Sequence, residues 1–311
     1  MVDGMPRLSP AQNSFVQAVQ RLPYRNFGGG TYSQMYFEKY LRKPHYDAYI
    51  LESLVDKIVV DKKEIIIDFG GGVGMLSLML HSKGFQKIVL VDHNKEACEF
   101  AKSMFKHLEI PIQVICGSQN DLPKLAGALV SRDVVEHIYD FPQFLVQQIE
   151  TKKMKQFVFG TSANPHNLLR RRYFKKVHQK AEKEYFELRK RHFKKQGLTV
   201  QQSKEMAMKT KGVWLKEGDI EQKQKTQYSS NTCHPKTGNW AERLERISWY
   251  RDIVRDNKKW CFSVTFLRWN DWQNHWWKKI IFACINKTND LFGSKFLAPY
   301  LIYTYKNEQY N

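Results

Sequence analysis

Short apolar runs alternate with amphipathic segments between residues 61 and 165. The run EIIIDFGGG at residues 64–72 is apolar and ends in glycines, which is typical of a parallel strand buried on both faces. The next segment, VGMLSLMLHSKG, predicts a helix ending at Gly84. Strands alternating with helices predict a parallel sheet with right-handed crossovers. Further strands are predicted at KIVLVDHN (87–94), PIQVICG (111–117), GALVSRD (127–133) and QFVFGTSA (156–163).

The two ends of the chain have other patterns. Within residues 10–60, PAQNSFVQAVQRL and YDAYILESLVDKIV have helical periodicity. FGGGTYSQMY between them is predicted to be a break, because three consecutive glycines, Gly28 to Gly30, cannot lie inside a stable helix. Near the C-terminus, CFSVTFLRW and APYLIYTYK read as strands around a helix at WQNHWWKKIIFACI, which brings the predicted total to seven strands.

Residues 166–245 interrupt this alternation. They are charged, mostly helical in pattern, and end in the polar segment SSNTCHPKTGNW. We therefore predict an α/β protein with a Rossmann-like, seven-stranded, mostly parallel sheet and helices on both faces. The predicted parts are an N-terminal helical cap (1–60), a Rossmann-like core (61–165), a basic helical insertion or lid (166–245) and the last two strands of the core (246–311).

The positive charge lies in the second half of the chain. The net charge is +19, and residues 1–150 contribute 16 Lys/Arg and 17 Asp/Glu, a net of −1. Residues 166–216 alone hold 16 basic and 4 acidic residues. This segment indicates either an anionic partner (RNA, a phosphorylated or nucleotide-linked substrate, or an acidic membrane surface) or simply a solvated helical face.

Composition bears on the setting of the protein. No run of 18 apolar residues is present, and MVDGMPRLSPAQNSF lacks the apolar core of a signal peptide. The cysteines (Cys98, Cys116, Cys233, Cys261 and Cys284) are odd in number and form no CxxC pair, so that neither a disulfide framework nor a zinc knuckle is indicated. We expect a reducing, cytoplasmic setting.

The turn after the first predicted strand has the features of a ligand site. Asp68 ends the strand, and Gly70, Gly72 and Gly74 form the turn before the helix. Glycines let a ligand approach the backbone and the positive end of the helix. Their spacing differs from the G-x-G-x-x-G fingerprint, which disfavours a nicotinamide or flavin cofactor. Asp92 ends the second strand, where a carboxylate can accept hydrogen bonds from both hydroxyls of a ribose.

With these residues the chain resembles the class I S-adenosylmethionine (SAM)-dependent methyltransferases. The resemblance covers roughly residues 60–165 and the tail from residue 260. Its carriers, in order, are Asp68-Phe-Gly-Gly-Gly-Val-Gly74, Val-Leu-Val-Asp92, Gly117-Ser-Gln-Asn-Asp-Leu-Pro123 and Val130-Ser-Arg-Asp-Val-Val-Glu-His137.

The resemblance implies a role for each matching position. The three glycines line the methionine and ribose part of SAM, and Asp68 organises the turn and faces the cofactor amine. Asp92 holds the ribose, and His93 flanks the adenine. Ser118 and Gln119 lie where the adenine amino group is met, although many relatives carry an acid at position 118. Arg132 is included among the cofactor-binding positions.

Candidates for catalysis follow the fourth and fifth strands. If a helical turn begins at Asp133, then Asp133, Glu136 and His137 share one face. They could hold a divalent cation, as in the similar acid-x-x-Glu-His segments of ubiquinone-pathway O-methyltransferases and small-RNA 3′-end methyltransferases. They could also supply His137 as a base or have a local structural role; a metal is not favoured. His166 is a further candidate, on the loop after the fifth strand.

Three other features bear on the acceptor. Residues 231–243 predict a shaped loop on the substrate side. Trp272, Trp276 and Ile280 share a helical face that indicates core packing or, with the adjacent lysines, contact with a membrane interface. The aromatic residues among the basic positions of 173–193 could stack bases but more often form a buried stripe.

The leading hypothesis is therefore SAM-dependent methylation of an O or N atom of a small metabolite that is anionic or linked to a carrier. The residues leave two alternatives open. One is an RNA methyltransferase that uses the basic insertion, and the other is a SAM-binding protein without catalysis. The acceptor, the pathway and the oligomeric state do not follow from the residues.

Overall fold

A single sheet of seven strands forms the centre of the protein. The computed structural model describes residues 8–151, 154–215, 232–268, 281–288 and 296–310. The strand order is β3-β2-β1-β4-β5-β7-β6; β1 to β5 are parallel, and β7 is antiparallel to both of its neighbours. The predicted mostly parallel sheet is confirmed. The strands are β1 (Ile65–Phe69), β2 (Lys87–Asp92), β3 (Gln113–Cys116), β4 (Ala128–Arg132), β5 (Gln156–Thr161), β6 (Trp260–Phe266) and β7 (Leu301–Asn307).

Helices cover both faces of this sheet. Alternate side chains of the parallel strands point to opposite faces, so that Ile66 and Val130 join one core cluster while Ile67 and Leu129 join the other. Residues 281–288 are also helical. The numbered helices are α1 (Pro10–Arg21), α2 (Gly30–Arg42), α3 (Pro44–Val55), α4 (Met75–Ser82), α5 (Lys95–His107), α6 (Phe141–Thr151), α7 (Leu168–Lys195), α8 (Val200–Lys209) and α9 (Ile247–Asp252).

The N-terminal helices belong to the layer on the first face. Ser9 and Gln12 form a capping box that begins α1, and α1 packs against α3 and α4. The predicted break over residues 27–36 is wrong from Gly30 onwards, because α2 begins at Gly30. A Cβ on Gly29 would lie 2.1 Å from the carbonyl oxygen of Glu96, so the glycine lets α2 start close to α5.

The basic insertion begins with two packed helices, α7 and α8. Arg189 is fully buried, and its Nε donates to the carbonyl of Ala207 at 2.8 Å. Phe174 and Phe193 are buried as the stripe prediction expected, whereas Tyr173 is 58% exposed. The proposed division into four parts stays a prediction.

Two predictions concern the membrane: contact of one helix face with the membrane interface, and the absence of a membrane-spanning segment. Trp272, Trp276 and Ile280 lie outside the described residues. Among the helices that are described, none combines the length and the apolar character that a bilayer crossing needs.

Candidate active site

The glycine turn brings the backbone next to open space at one position. Gly70, Gly72 and Gly74 have φ angles of 70°, 53° and 88°, which glycine adopts without strain. A Cβ on Gly70 would lie 2.5 Å from Val134 Cγ2, and one on Gly74 would lie 2.6 Å from Phe105 Cζ. At Gly72 nothing lies within 4 Å. Gly70 and Gly74 are therefore needed for packing, whereas Gly72 leaves room for a ligand.

Asp68 lies beneath this turn. Its Oδ2 accepts a hydrogen bond of 2.7 Å from the Ser77 hydroxyl, while no described residue donates to its Oδ1. Burial raises the pKa of the Asp68 carboxyl to about 7. The side chain lines the smaller of the two cavities at the sheet edge. It can therefore accept a hydrogen bond from an amine there, and a positive charge would favour its ionised form.

Asp92 joins the turn to the end of β2. Its Oδ2 accepts from the Gly72 amide and its Oδ1 from the Asn94 amide, both at 2.8 Å. Only 8% of the residue is exposed, and that part faces the larger cavity. The His93 side chain is 79% exposed and lines the same cavity. This arrangement suits a ribose on Asp92 with a base beside His93.

Ser118 caps a short helix as well as lining the larger cavity. Its hydroxyl accepts from the amide of Asn120 at 3.3 Å, and its own amide donates to Asp121 Oδ2 at 2.8 Å, which caps a short 3₁₀ helix. Ser118 and Gln119 both line the larger cavity. Their backbone and the Gln119 side chain are thus placed at the predicted adenine end.

The smaller cavity, of about 140 Å³, lies between the glycine turn and helix α2. Arg132 lines it and is held by Asp47, whose Oδ1 is 2.6 Å from Nη2. The guanidinium lies 5.4 Å from the centre of the Tyr40 ring. The basic side chains of Lys39 and Lys43 line the same cavity, which gives it three cations that could bind a carboxylate.

The larger cavity has a volume of about 1080 Å³. Pockets for one drug-sized ligand are about 300–1,000 Å³, so that this one has room for the nucleoside of a cofactor and for an acceptor. Beyond the residues at the ends of β1, β2 and β3, its lining comes from the segment between β4 and α6, from α6 itself and from the insertion. These further residues include His137, Tyr139, Asp140, Gln143, Val213, Trp214, Thr237 and Asn239.

Asp133 lines both cavities. It has a left-handed φ of 53°, and its Oδ1 accepts from the Ser162 amide at 2.9 Å. Its Oδ2 lies 3.4 Å from Arg132 Nε. These contacts differ from the predicted helical face, because the helical turn is a 3₁₀ segment (Val135–His137) that begins after Asp133.

His137 is oriented by the loop before α9. Its Nδ1 lies 2.7 Å from the Trp240 carbonyl, which can only accept, so that Nδ1 carries the proton and Nε2 keeps its lone pair. Glu242 Oε1 lies 3.8 Å from Nε2. The loop is fastened to this segment by amides of Trp240 and Arg243, which donate to the carbonyls of His137 and Glu136.

Glu136 lies fully buried beside this pair. Neither of its carboxylate oxygens has a hydrogen-bond donor in good geometry among the described residues. Burial, with the nearby charges of Asp133 and Glu242, raises the pKa of Glu136 well above its usual range. The ligand atoms of Glu136, His137 and Glu242 lie within 4.8 Å of one another and could hold a divalent cation. Glu242, not Asp133, completes this set.

Tyr139 and Trp214 line the larger cavity, and Trp240 packs behind Tyr139. The rings of Tyr139 and Trp240 stack at 5.7 Å, and the Trp214 ring meets Tyr139 edge-on at 5.7 Å. Thr237 and Asn239 come from the segment predicted as a substrate-side loop, and they line this cavity.

His166 lies elsewhere. Its ring packs edge-on against Phe296 at 6.3 Å, and its amide donates to Asn164 Oδ1 at 3.0 Å. It lines neither of the two cavities.

Several site residues were missed by sequence reasoning. Tyr36, Lys39 and Tyr40 of α2, and Lys43 directly after it, line the smaller cavity. Positions 36, 40 and 43 have the spacing of one helical face, a signal hidden by the assignment of a break to this region. Trp214 and Glu242 carry no local signal, because only the folded insertion brings them to the site.

The match to a known protein family lies in the N-terminal half of the chain. Residues 49–124 match the family model described as "Methyltransferase small domain". No curated protein sequence matches the chain.

Similar solved structures resemble the chain at low identity. One is the plantazolicin methyltransferase BpumL in complex with SAH (8% identity, 96% of this chain and 96% of that chain, TM-score 0.44). Another is the PH0226 protein from Pyrococcus horikoshii OT3 (23% identity, 38% and 58%, TM-score 0.33). A third is coclaurine N-methyltransferase bound to N-methylheliamine and SAH (12% identity, 36% and 35%, TM-score 0.33). The matches to the last two span about a third to just over half of those proteins.

The matched family segment contains β1, the glycine turn, Asp92 and β3, which are the elements that form the cofactor half of the site. The mixed seven-stranded sheet is the one that the resemblance to the class I SAM-dependent methyltransferases implies, so the family match and the fold agree over the cofactor half of the site.

Proposed function

We propose that this protein transfers the methyl group of SAM to a nitrogen or oxygen atom of a small acceptor bound in the larger cavity. The observation that carries the proposal is the open space at Gly72 in the smaller cavity, next to Asp92, together with the sharing of Gly70 and Asp133 between this cavity and the larger one that His137 lines. The donor and acceptor sites are therefore contiguous.

The residues at the sheet edge fit SAM along its length. Arg132, Lys39 and Lys43 would bind its carboxylate, and the unpartnered Oδ1 of Asp68 would accept from its amine. Asp92 would hold the ribose, and Gln119 lies at the adenine end. When bound there, SAM supplies a methyl group on a positively charged sulfur.

The acceptor half supplies orientation and a proton acceptor. In an in-line displacement the protein mainly aligns the reacting atoms and excludes water. His137 lines this cavity, and its Nε2 keeps a lone pair because Nδ1 donates to the Trp240 carbonyl, so that Nε2 can take the proton of the attacking group. Glu242, 3.8 Å away, would stabilise the protonated ring.

A pair of glycine substitutions tests the donor site. Gly72→Val would fill the space next to Asp92, and we expect SAH affinity measured by calorimetry to fall at least about tenfold. Gly197→Val is the matched control, because Gly197 also has a positive φ (89°) and nothing within 4 Å, but it lies between α7 and α8. Both variants carry a backbone cost of about 1–2 kcal/mol. Equal affinities in the two would refute the assignment.

RNA methylation is a second candidate, favoured by the surface of α7. Arg171, Arg172, Lys175 and Lys176 are exposed on its first turns, beside the exposed ring of Tyr173. RNA retention that falls steeply with salt would support this candidate, and no retention at low salt would remove it. An anionic membrane surface is the other partner that such a face could bind.

The third possibility, a protein that binds SAM without catalysis, is distinguished from an enzyme by an assay of methyl transfer. SAH binding together with no transfer of labelled methyl to any pool of an extract would indicate a binding protein. The observation against it is that His137, with its Nε2 lone pair kept by the Nδ1 hydrogen bond, lines the same cavity as Asp92.

A further inference from the structure

Among the residues that the structure describes, the lining of the larger cavity is acidic although the chain as a whole is basic. The protein has 50 Lys and Arg residues against 31 Asp and Glu. Among the described residues, however, no Lys or Arg lines the larger cavity, whereas Asp92, Asp133 and Asp140 do. The interior therefore disfavours the anionic acceptor that the composition suggests.

Two of these carboxylates are engaged on the donor side. Asp92 accepts from two backbone amides and faces the ribose position. Asp133 accepts from the Ser162 amide and lies 3.4 Å from Arg132 Nε. Asp140 lies between β4 and α6 and lines the larger cavity but not the smaller one, and its Oδ1 accepts a 3.1 Å hydrogen bond from the Gln143 amide in the first turn of α6. The negative charge of Asp140 therefore belongs to the acceptor half of the cavity.

More acid lies behind His137. Glu242 Oε1 is 3.8 Å from His137 Nε2, and its Oε2 is buried with no hydrogen-bond donor among the described residues. Glu136, fully buried, lies in the same cluster. Carboxylates that burial keeps from solvent gain from a positive charge brought near them.

Two aromatic side chains line the same cavity as Asp140. Tyr139 and Trp214 meet edge-on at 5.7 Å, and both line the cavity next to Asp140. A carboxylate beside aromatic faces is the chemistry that recognises an organic ammonium ion, through charge and through cation–π attraction.

We infer that the acceptor is an amine on a small apolar or aromatic frame, which enters the larger cavity as its ammonium ion between Asp140, His137 and the Tyr139–Trp214 wall. This inference rests on the proposed function. One ammonium proton passes to His137 Nε2, and the nitrogen lone pair then forms the N–C bond. The C–S bond breaks with its electron pair remaining on sulfur, which yields SAH and the N-methylated ammonium ion. His137 afterwards releases its proton to solvent.

The charge of the labelled product tests this inference even while the acceptor is unidentified. The protein is incubated with methyl-labelled SAM and a small-molecule extract, and the product is divided by cation and anion exchange at neutral pH. We expect the label on the cation exchanger. Label in an anionic or neutral product overturns the inference and leaves the transfer proposal standing, whereas no label in any fraction refutes the proposed function.

A matched pair of variants then tests the residue. Asp140→Asn keeps an oxygen to accept from the Gln143 amide but loses the charge, and we expect kcat/KM for the purified amine to fall at least about tenfold with unchanged SAH affinity. Asp61→Asn is the control, because the Asp61 carboxylate also accepts a backbone amide (Lys63, 2.7 Å) but lines neither cavity. Equal kcat/KM in the two variants contradicts the role of Asp140.

Discussion

Replacement of Asp92 by Asn should weaken cofactor binding more than it weakens the fold. The substitution keeps one acceptor oxygen and removes the charge that would bind the ribose hydroxyls. A hydrogen bond to a charged group contributes about 1.5–3 kcal/mol, so that losing one such bond should weaken binding about 10- to 100-fold. Isothermal titration with SAH measures this change directly.

Asp92 also stabilises the fold, so the binding measurement needs a control for the stability of the variant. The carboxylate accepts from the amides of Gly72 and Asn94, and Asn can satisfy only one of them. An unsatisfied buried amide costs about 1–3 kcal/mol, so thermal unfolding must show that the variant is folded at the titration temperature. Asp92→Ala would leave both amides unpaired and is the less informative variant.

Glu52→Gln is the matched control for this measurement. Glu52 is also a buried carboxylate (8% exposed), it lies 3.2 Å from Lys83 Nζ, and it lines neither cavity. It should lose stability without losing SAH affinity. If folded Asp92→Asn binds SAH within about twofold of the unsubstituted protein, the reasoning on the ribose site is wrong.

Three further outcomes are expected. Burial raises the pKa of Asp68 from 3.8 to about 7, so that between these pH values the folded state holds a proton that the unfolded chain has lost. The free energy of unfolding of the ligand-free protein should therefore fall as pH rises from about 4 to 7, by at most about 1.4 kcal/mol per pH unit. Asp68→Asn should flatten this slope when unfolding is measured by urea titration. His137→Gln should lower kcat about 10²- to 10⁴-fold with unchanged SAH affinity, and a parallel loss of affinity would indicate a structural role instead. Methyl transfer should survive dialysis against EDTA. If dialysis abolishes transfer, and Mn²⁺ restores it in the unsubstituted protein but not in Glu242→Gln, a metal occupies the Glu136–His137–Glu242 cluster.

The sheet could be predicted from the sequence because its strands are buried on both faces. Continuous apolar runs such as EIIIDF and KIVLVD predict central parallel strands, and the glycines between them mark the turn. The reversed direction of β7 carried no such signal, because it follows from its position between β5 and β6. Gly70 and Gly74 could not be told from Gly72 either, since packing against Val134 and Phe105 exists only in the folded chain.

The acceptor half was less predictable for the same reason. His137 and Glu242 are neighbours only because the loop before α9 returns to the end of β4. Helix α2 was hidden by the glycines at its start, although its basic and aromatic positions are regularly spaced. In both cases a tertiary contact decides the role of residues whose local pattern is ordinary.

The two backbone hydrogen bonds that fasten Trp240 and Arg243 to residues 136–137 have a consequence for kinetics. A loop that merely covered the cavity could open while the proton acceptor stayed in place. Here any displacement of the loop also withdraws the Trp240 carbonyl that holds the imidazole in its tautomer. If His137 is the proposed base, substitutions that shift this loop should therefore alter turnover together with acceptor affinity.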